Sequence, residues 1–184
     1  MIVLTIFVTL NNKNTSFCIQ YLKKGGIFIK PCIKFPIIFS AISLGVGGLA
    51  AIFTRENMDI YERINQPFFS PPSWVFPIVW AILYILMGIG AGLVWCAPRN
   101  ADKKPAAIFY FGLQLVVNFF WSIIFFNLQM FKASFVWLVF LLALILLMVS
   151  AFAKVSKVAA YLQIPYIAWV FFAGILNLGI AILN

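Results

Sequence analysis

Trp80 and Tyr84 stand four residues apart with Phe76 one turn earlier, in a stretch that carries no charge. Gln114, Asn118 and Ser122 repeat that spacing further along, with Trp121 beside them and Phe125 below. Tyr166, Trp169, Ala173 and Asn177 form a third series. At the helical period each series falls on one face, so three helices each offer an aromatic stripe with a polar group or two. Indole and phenol rings stack on flat partners, and a few amides or hydroxyls fix orientation. A pocket of this kind suits a flat, largely apolar aromatic ligand. The same amides and hydroxyls also suit bonds between helices in a membrane, and Trp and Tyr also populate interfacial belts. Belts leave Trp80, Trp121 and Trp169 unexplained, since each lies a third of the way into its apolar stretch or deeper.

The missing residue types narrow the chemistry further. The chain has no histidine, and no Asp, Glu, Lys or Arg falls within the long apolar stretches. Proton relays, ion-coupled transport and voltage sensing use ionisable groups inside the membrane. General acid–base catalysis needs a positioned titratable group, and metal sites need His, Cys or carboxylate clusters. The three cysteines, Cys18, Cys32 and Cys96, are odd in number and lack a C-x-x-C spacing. They read as small apolar side chains rather than a disulfide or metal framework. The sequence therefore predicts no catalytic residue, no metal site and no required cofactor.

The elements that must position these stripes follow from composition. Of 184 residues, 65% are hydrophobic and 9% charged, and the mean hydropathy is +1.08, too apolar for a soluble domain to cover. A spanning helix needs ~20 apolar residues at ~1.5 Å each. Five such spans are expected, Phe35–Phe53, Pro72–Cys96, Pro105–Asn127, Ala133–Ala153 and Ala159–Leu183, giving an all-α membrane protein, a five-transmembrane-helix bundle over residues 35–184. Ser70, Pro71 and Pro72 look like the start of the second span, with Ser70 as its N-cap. Gly88-x-x-x-Gly92 suits a close helix crossing, and Gly45, Gly47 and Gly48 in the first span suit packing.

Little chain remains outside the spans. The longest connection, Thr54–Ser70, holds Glu56, Asp59 and Glu62 and is where a cover for a ligand site belongs. Residues 1–34 form an N-terminal extension of unknown role. Met1–Leu10 is apolar but too short to span and lacks the marks of a signal peptide, and the basic stretch Tyr21–Lys34 suits the headgroup layer. Ten of the 13 Lys and Arg residues fall on the side of the N-terminus, the second loop and the fourth loop, and Arg55, Arg63 and Lys132 fall opposite. The positive-inside bias then places the N-terminus in the cytoplasm of an integral, multi-pass protein. Scattered over short loops, these cations make no continuous patch for nucleic acid.

Pro67-x-x-x-Pro71-Pro72-x-Trp74-Val75-Phe76-x-x-x-Trp80-x-x-Leu83-Tyr84 resembles the hallmark of the TspO/MBR family, the tryptophan-rich sensory or translocator proteins. Leu115-x-x-Asn118-x-x-Trp121-Ser122-x-x-Phe125-Phe126 and Pro165-Tyr166-x-x-Trp169-x-x-Phe172-Ala173-x-x-x-Asn177 are similar to that family's later motifs, in the same order. The resemblance covers roughly residues 35–184. It implies a five-helix bundle, often a homodimer, whose pocket takes porphyrins such as protoporphyrin IX or a haem-like tetrapyrrole, along with isoquinoline or benzodiazepine compounds. It further implies a part in tetrapyrrole metabolism or stress response, as sensor, as transporter of tetrapyrroles or lipids, or as a light-dependent porphyrin-degrading enzyme. Carried over to this chain, the ligand-binding residues would be Trp80, Trp169, Asn118, Trp121, Phe125 and Ala173. Tyr61 and the Pro67 turn match the covering loop, and Tyr61, together with Phe76, Tyr84 and Tyr166 of the aromatic stripes, is expected to bind the ligand as well.

The chain departs from the family pattern in its lid, where Ile60 and Phe69 stand in place of tryptophans. No Tyr followed by Lys or Arg closes the chain, so the sterol motif of animal members, a weak pattern, does not carry over.

Overall fold

A computed structural model describes residues 29–184 apart from Arg99. Most of the N-terminal extension, with Cys18, the Met1–Leu10 run and most of the basic stretch, lies outside the described residues. Helix α1 runs Ile29–Thr54, so the first span begins within the last residues of that extension. A 3-10 turn, Arg55–Asn57, and the short helix α2, Ile60–Arg63, follow. The remaining elements are α3 (Val75–Cys96), a 3-10 turn (Ala101–Lys103), α4 (Lys104–Ser122) continued by a π-helical segment (Ile123–Asn127), α5 (Phe131–Val155), α6 (Lys157–Tyr161) and α7 (Ile164–Leu183). Five of the described helical stretches are long and apolar enough to cross a membrane, as the hydropathy requires.

The second span starts later than its prolines suggest. Ser70 does not cap it: Trp74 occupies the N-cap position and α3 begins at Val75. A proline disfavours helical backbone at the residue before it, so Ser70-Pro71-Pro72 stays outside, and the amide of Val75 closes a turn onto Pro72 O at 3.0 Å. Pro77 then falls at the third helical position, where its absent N–H has no intrahelical partner to lose. At the far end of the chain, Pro165 near the start of α7 separates α6 from it. Asn100 and Gln129 hold left-handed backbone at φ 56° and 52° in the two tight loops. Asn tolerates that region, and Asn100 Nδ2 also ties its loop to Lys154 O at 2.9 Å.

Around the bundle, α1 packs on α3 and α4, α4 on α5, and α5 on α7, while α3 and α7 meet mainly through side chains. The α1–α3 crossing is set by glycine. A Cβ at Gly88 would run into the backbone of Ser40, and one at Gly92 into the backbone of Pro36. Gly47 leaves room for the Tyr84 ring, whereas Gly45 and Gly48 face open space. The outward faces carry Ile37, Ile52, Ile82, Phe109, Val136, Phe171 and Ile182, all exposed, which suits contact with lipid chains. The polar side chains go inward instead: Gln114, Asn118, Ser134, Gln163 and Asn177 are all buried.

Candidate functional site

A cavity of about 350 Å³ opens between α1, α3, α4 and α7 beneath the first loop, and is partly open to the outside. That volume lies at the lower end of the range for ligand sites. Trp80 stands at its centre. Its ring lies 5.7 Å from Tyr84 and 6.3 Å from Trp121, tilted 33° to the latter, and Trp121 in turn lies 5.5 Å from Phe125. The π segment at the end of α4 explains why Phe125 and its neighbour Phe126 both reach the wall. Closing with an i→i+5 bond, Leu128 N to Ile123 O at 3.0 Å, it shifts the facing of the last turn relative to an α-helix.

Behind the aromatic wall lies a buried polar chain. Asn118 Nδ2 donates to Tyr166 Oη at 3.0 Å, Tyr166 Oη donates to Gln114 Oε1 at 2.7 Å, and Gln114 Nε2 reaches Met87 Sδ at 3.5 Å. Asn177, on the opposite wall, pairs with Ser134, its Nδ2 donating to Ser134 Oγ at 2.9 Å. Among the described residues, no carboxylate, Lys or Arg lines the cavity. Its side-chain polarity therefore comes from amides, hydroxyls and the indole N–H groups of its tryptophans.

The first loop closes the cavity from one end. Tyr61, on α2, is buried and meets Phe76 edge-on at 5.0 Å, and its hydroxyl donates to Pro71 O at 3.0 Å. Burial raises the Tyr61 pKa above the usual value, since the phenolate would lose its hydration. The loop is tied at both ends. At its start, Asn127 Nδ2 donates to Phe53 O at 2.9 Å while Asn57 Nδ2 donates to Asn127 Oδ1 at 3.2 Å. Near its middle, Asn65 N donates to Asn184 Oδ1 and Asn184 Nδ2 to Asn65 O, both at 3.0 Å. Ser73 Oγ donates to Glu62 at 2.8 Å, and Arg63 pairs with Asp59.

Of the residues expected at the site, Tyr61, Phe76, Trp80, Tyr84, Asn118, Trp121, Phe125 and Ala173 line the cavity together. Trp169 and Tyr166 do not. Trp169 packs behind Phe76 at 5.8 Å and beside Phe172 at 5.5 Å, and Tyr166 is wholly buried between Asn118 and Gln114. The stripe on α7 is longer than the part of that helix bordering the cavity, which begins at Ala173, so of the stripe only Ala173 and Asn177 reach the wall. Sequence reasoning missed the contribution of α1, whose Leu44, Gly47, Gly48, Ala51 and Thr54 form one side. Their small or apolar side chains carry no chemical signal. Met58, Leu176 and Ile180 were missed for the same reason.

The model of the TspO/MBR family matches residues 38–183. This chain belongs to the TspO/MBR family. It is 38% identical over 144 residues to the tryptophan-rich protein TspO of Chlorobaculum tepidum, covering 78% of this chain and 91% of that protein. Protein CrtK of Rhodobacter capsulatus is 31% identical over 156 residues, covering 82% and 92%. The translocator protein of Bos taurus is 34% identical over 139 residues, covering 73% and 80%. The TspO/MBR match takes in every cavity-lining residue named above, from Leu44 on α1 to Ile180 on α7. It leaves out residues 1–37, and with them the start of α1.

Proposed function

We propose that this TspO/MBR protein is a membrane-embedded binding protein and sensor for porphyrins, tetrapyrroles such as protoporphyrin IX, and similar flat apolar ligands. The observation that carries this reading is the charge-free cavity in whose wall Trp80 and Trp121 lie side by side, 6.3 Å apart and tilted 33°, with the Asn118 amide in the same wall. Stacked aromatic walls in a water-poor site favour flat rings, and relatives are named tryptophan-rich sensory protein and translocator protein. A whole tetrapyrrole exceeds a cavity of about 350 Å³ that is only partly open to the outside, so it enters edge first and the Tyr61 loop lifts to admit it. The positive-inside count supports an N-terminus in the cytoplasm, of a cell membrane if the source is bacterial, and the proposal includes a homodimer, as the family resemblance implies. Titration of protoporphyrin IX into detergent-purified protein, followed by tryptophan fluorescence, tests the reading. Saturable quenching in the intact chain that weakens in Trp80→Ala supports it; no quenching, or quenching unchanged by the substitution, defeats it.

A second reading is enzymatic: light-dependent degradation of the bound porphyrin. The adjacent Trp80 and Trp121 indoles favour it, since electron-rich rings would then lie beside a light-absorbing macrocycle, with no acid or base required. Illumination of the complex should bleach the porphyrin band and raise a product band. Equal bleaching in a Trp80→Phe, Trp121→Phe variant would count against a role for these indoles.

A further inference from the structure

We infer that the cavity selects flat aromatic ligands that present an N–H donor, because the buried chain Met87–Gln114–Tyr166–Asn118 holds the Asn118 amide with its oxygen on the cavity side. This deepens the reading of the cavity as a ligand site and rests on it. The four side chains come from α3, α4 and α7 and are at most 1% exposed, so the polar atoms turned away from the cavity must find their partners within the protein.

The order of the chain starts at its sulfur. A thioether can accept a hydrogen bond and cannot donate one, so Gln114 must turn Nε2 to Met87 Sδ, at 3.5 Å. That leaves Gln114 Oε1 toward Tyr166 Oη, at 2.7 Å, where it takes the single phenolic proton. With that proton used, Tyr166 Oη can only accept from Asn118, and the atom 3.0 Å away is therefore Nδ2. Asn118 lines the cavity, and no donor among the described residues reaches its Oδ1. The reversed order would set Gln114 Oε1 against Met87 Sδ, two acceptors facing each other in a dry interior, where unpaired polar groups are costly.

The other polar groups of the wall are less restrictive. The Tyr84 and Ser122 hydroxyls can turn to serve as donor or acceptor. Trp121 Nε1 can only donate and has no partner among the described residues. Asn118 Oδ1 is thus a wall acceptor whose sense is locked from behind. A ligand with a ring N–H pairs with it, while an analogue lacking the N–H leaves it desolvated and unpaired, the situation in which sites discriminate most strongly. The class is aromatic N-heterocycles of the pyrrole or indole kind whose N–H lies on the outer edge of the ring system.

Carbazole and dibenzofuran share one flat three-ring outline and differ in carrying N–H or O. Both are titrated into the full chain in detergent, with tryptophan fluorescence as readout and protoporphyrin IX in parallel. Carbazole should bind about tenfold more tightly than dibenzofuran. Met87→Leu, which keeps the volume and removes the acceptor, should bring the ratio to within about twofold with helical circular dichroism unchanged. Tyr166→Phe should do the same by cutting the chain at its middle. Equal affinities in the unsubstituted protein, a preference for dibenzofuran, no carbazole binding, or a preference that survives both substitutions would overturn the inference. Porphyrin binding without a carbazole preference would leave the porphyrin reading standing and refute the locked amide. A carbazole preference without porphyrin binding would do the reverse.

Discussion

Tyr166 on α7 and Asn118 on α4 are joined by a single hydrogen bond of 3.0 Å, and it links the wall of the cavity to the interior of the bundle. Tyr166 is fully buried and Asn118 nearly so. Removing the hydroxyl strands both Asn118 Nδ2 and Gln114 Oε1. Interhelical hydrogen bonds in membranes average well under 1 kcal/mol, with a maximum near 1.7, and a stranded buried partner adds to the loss. Tyr166→Phe should therefore lower stability by about 1–2 kcal/mol, read as a drop in the thermal unfolding midpoint in detergent. A midpoint unchanged within error would mean the chain of bonds is not formed.

Trp80 and Trp121 line the cavity, whereas Trp74 is 65% exposed and does not. An aromatic pair contributes roughly 0.5–1.5 kcal/mol beyond its buried area. Trp80→Ala or Trp121→Ala should weaken protoporphyrin IX binding by about tenfold or more, counting the lost area as well. Trp74→Ala should leave the affinity where it was, which equilibrium titration of the three variants will show.

Gly88 and Gly92 set the α1–α3 crossing by leaving no Cβ between a helix and the backbone opposite. Backbone cannot step aside as a side-chain tip can. Gly88→Leu should push α1 away and cost about 3 kcal/mol, opening the cavity on its α1 side. Gly45→Ala, facing open space, should be close to neutral. Thermal melts of the two variants, measured side by side, carry the comparison.

Tyr61 gives the covering loop a pH limit. Its pKa in the seated state is raised by burial above the usual value near 10. The sign follows from linkage: the neutral phenol favours the seat, so the loop's stability is full below pH 10 and falls as pH rises through the raised value. Protease cleavage within residues 55–70 should accelerate above pH 10 in the unsubstituted protein. In Tyr61→Phe that acceleration should disappear, with cleavage faster at neutral pH because the bond to Pro71 O is gone.

Asn184 holds the loop from the other end of the chain through paired bonds to Asn65. Asn184→Ala should raise both the entry and the exit rate of protoporphyrin IX by a few-fold while changing its equilibrium affinity little, as stopped-flow fluorescence can measure. A change confined to affinity would place Asn184 outside the gate.

Much of this architecture was legible because lipid imposes a simple rule on sequence. Uncharged runs long enough to span must be helical, since backbone groups find no partner in hydrocarbon, and the stripes through Trp80, Asn118 and Ala173 pointed inward because polar and aromatic groups gather away from lipid. The positions of Trp169 and Tyr166 were not legible. Both share a helical face with Ala173, but helical spacing gives a direction around α7 and no depth, and packing against Phe76 and Gln114 places them behind the wall. The part played by α1 was equally hidden, since Gly47, Gly48 and Ala51 contribute by the space they leave.

By itself the sequence determined the five membrane helices, the absence of charge within them, the family, and the aromatic stripes from which a site could be built. Each of these follows from composition and short-range periodicity. Only the tertiary structure decided that Trp80 packs beside Trp121 in the wall of a cavity, that Tyr61 seats against Phe76, and that Met87 lies within reach of Gln114 and so orients Asn118 three hydrogen bonds along the chain. Those relations join residues 15 to 52 positions apart on different elements. They depend on the crossing of α1 over Gly88 and Gly92 and on the π turn ending α4, which are set by how the helices meet.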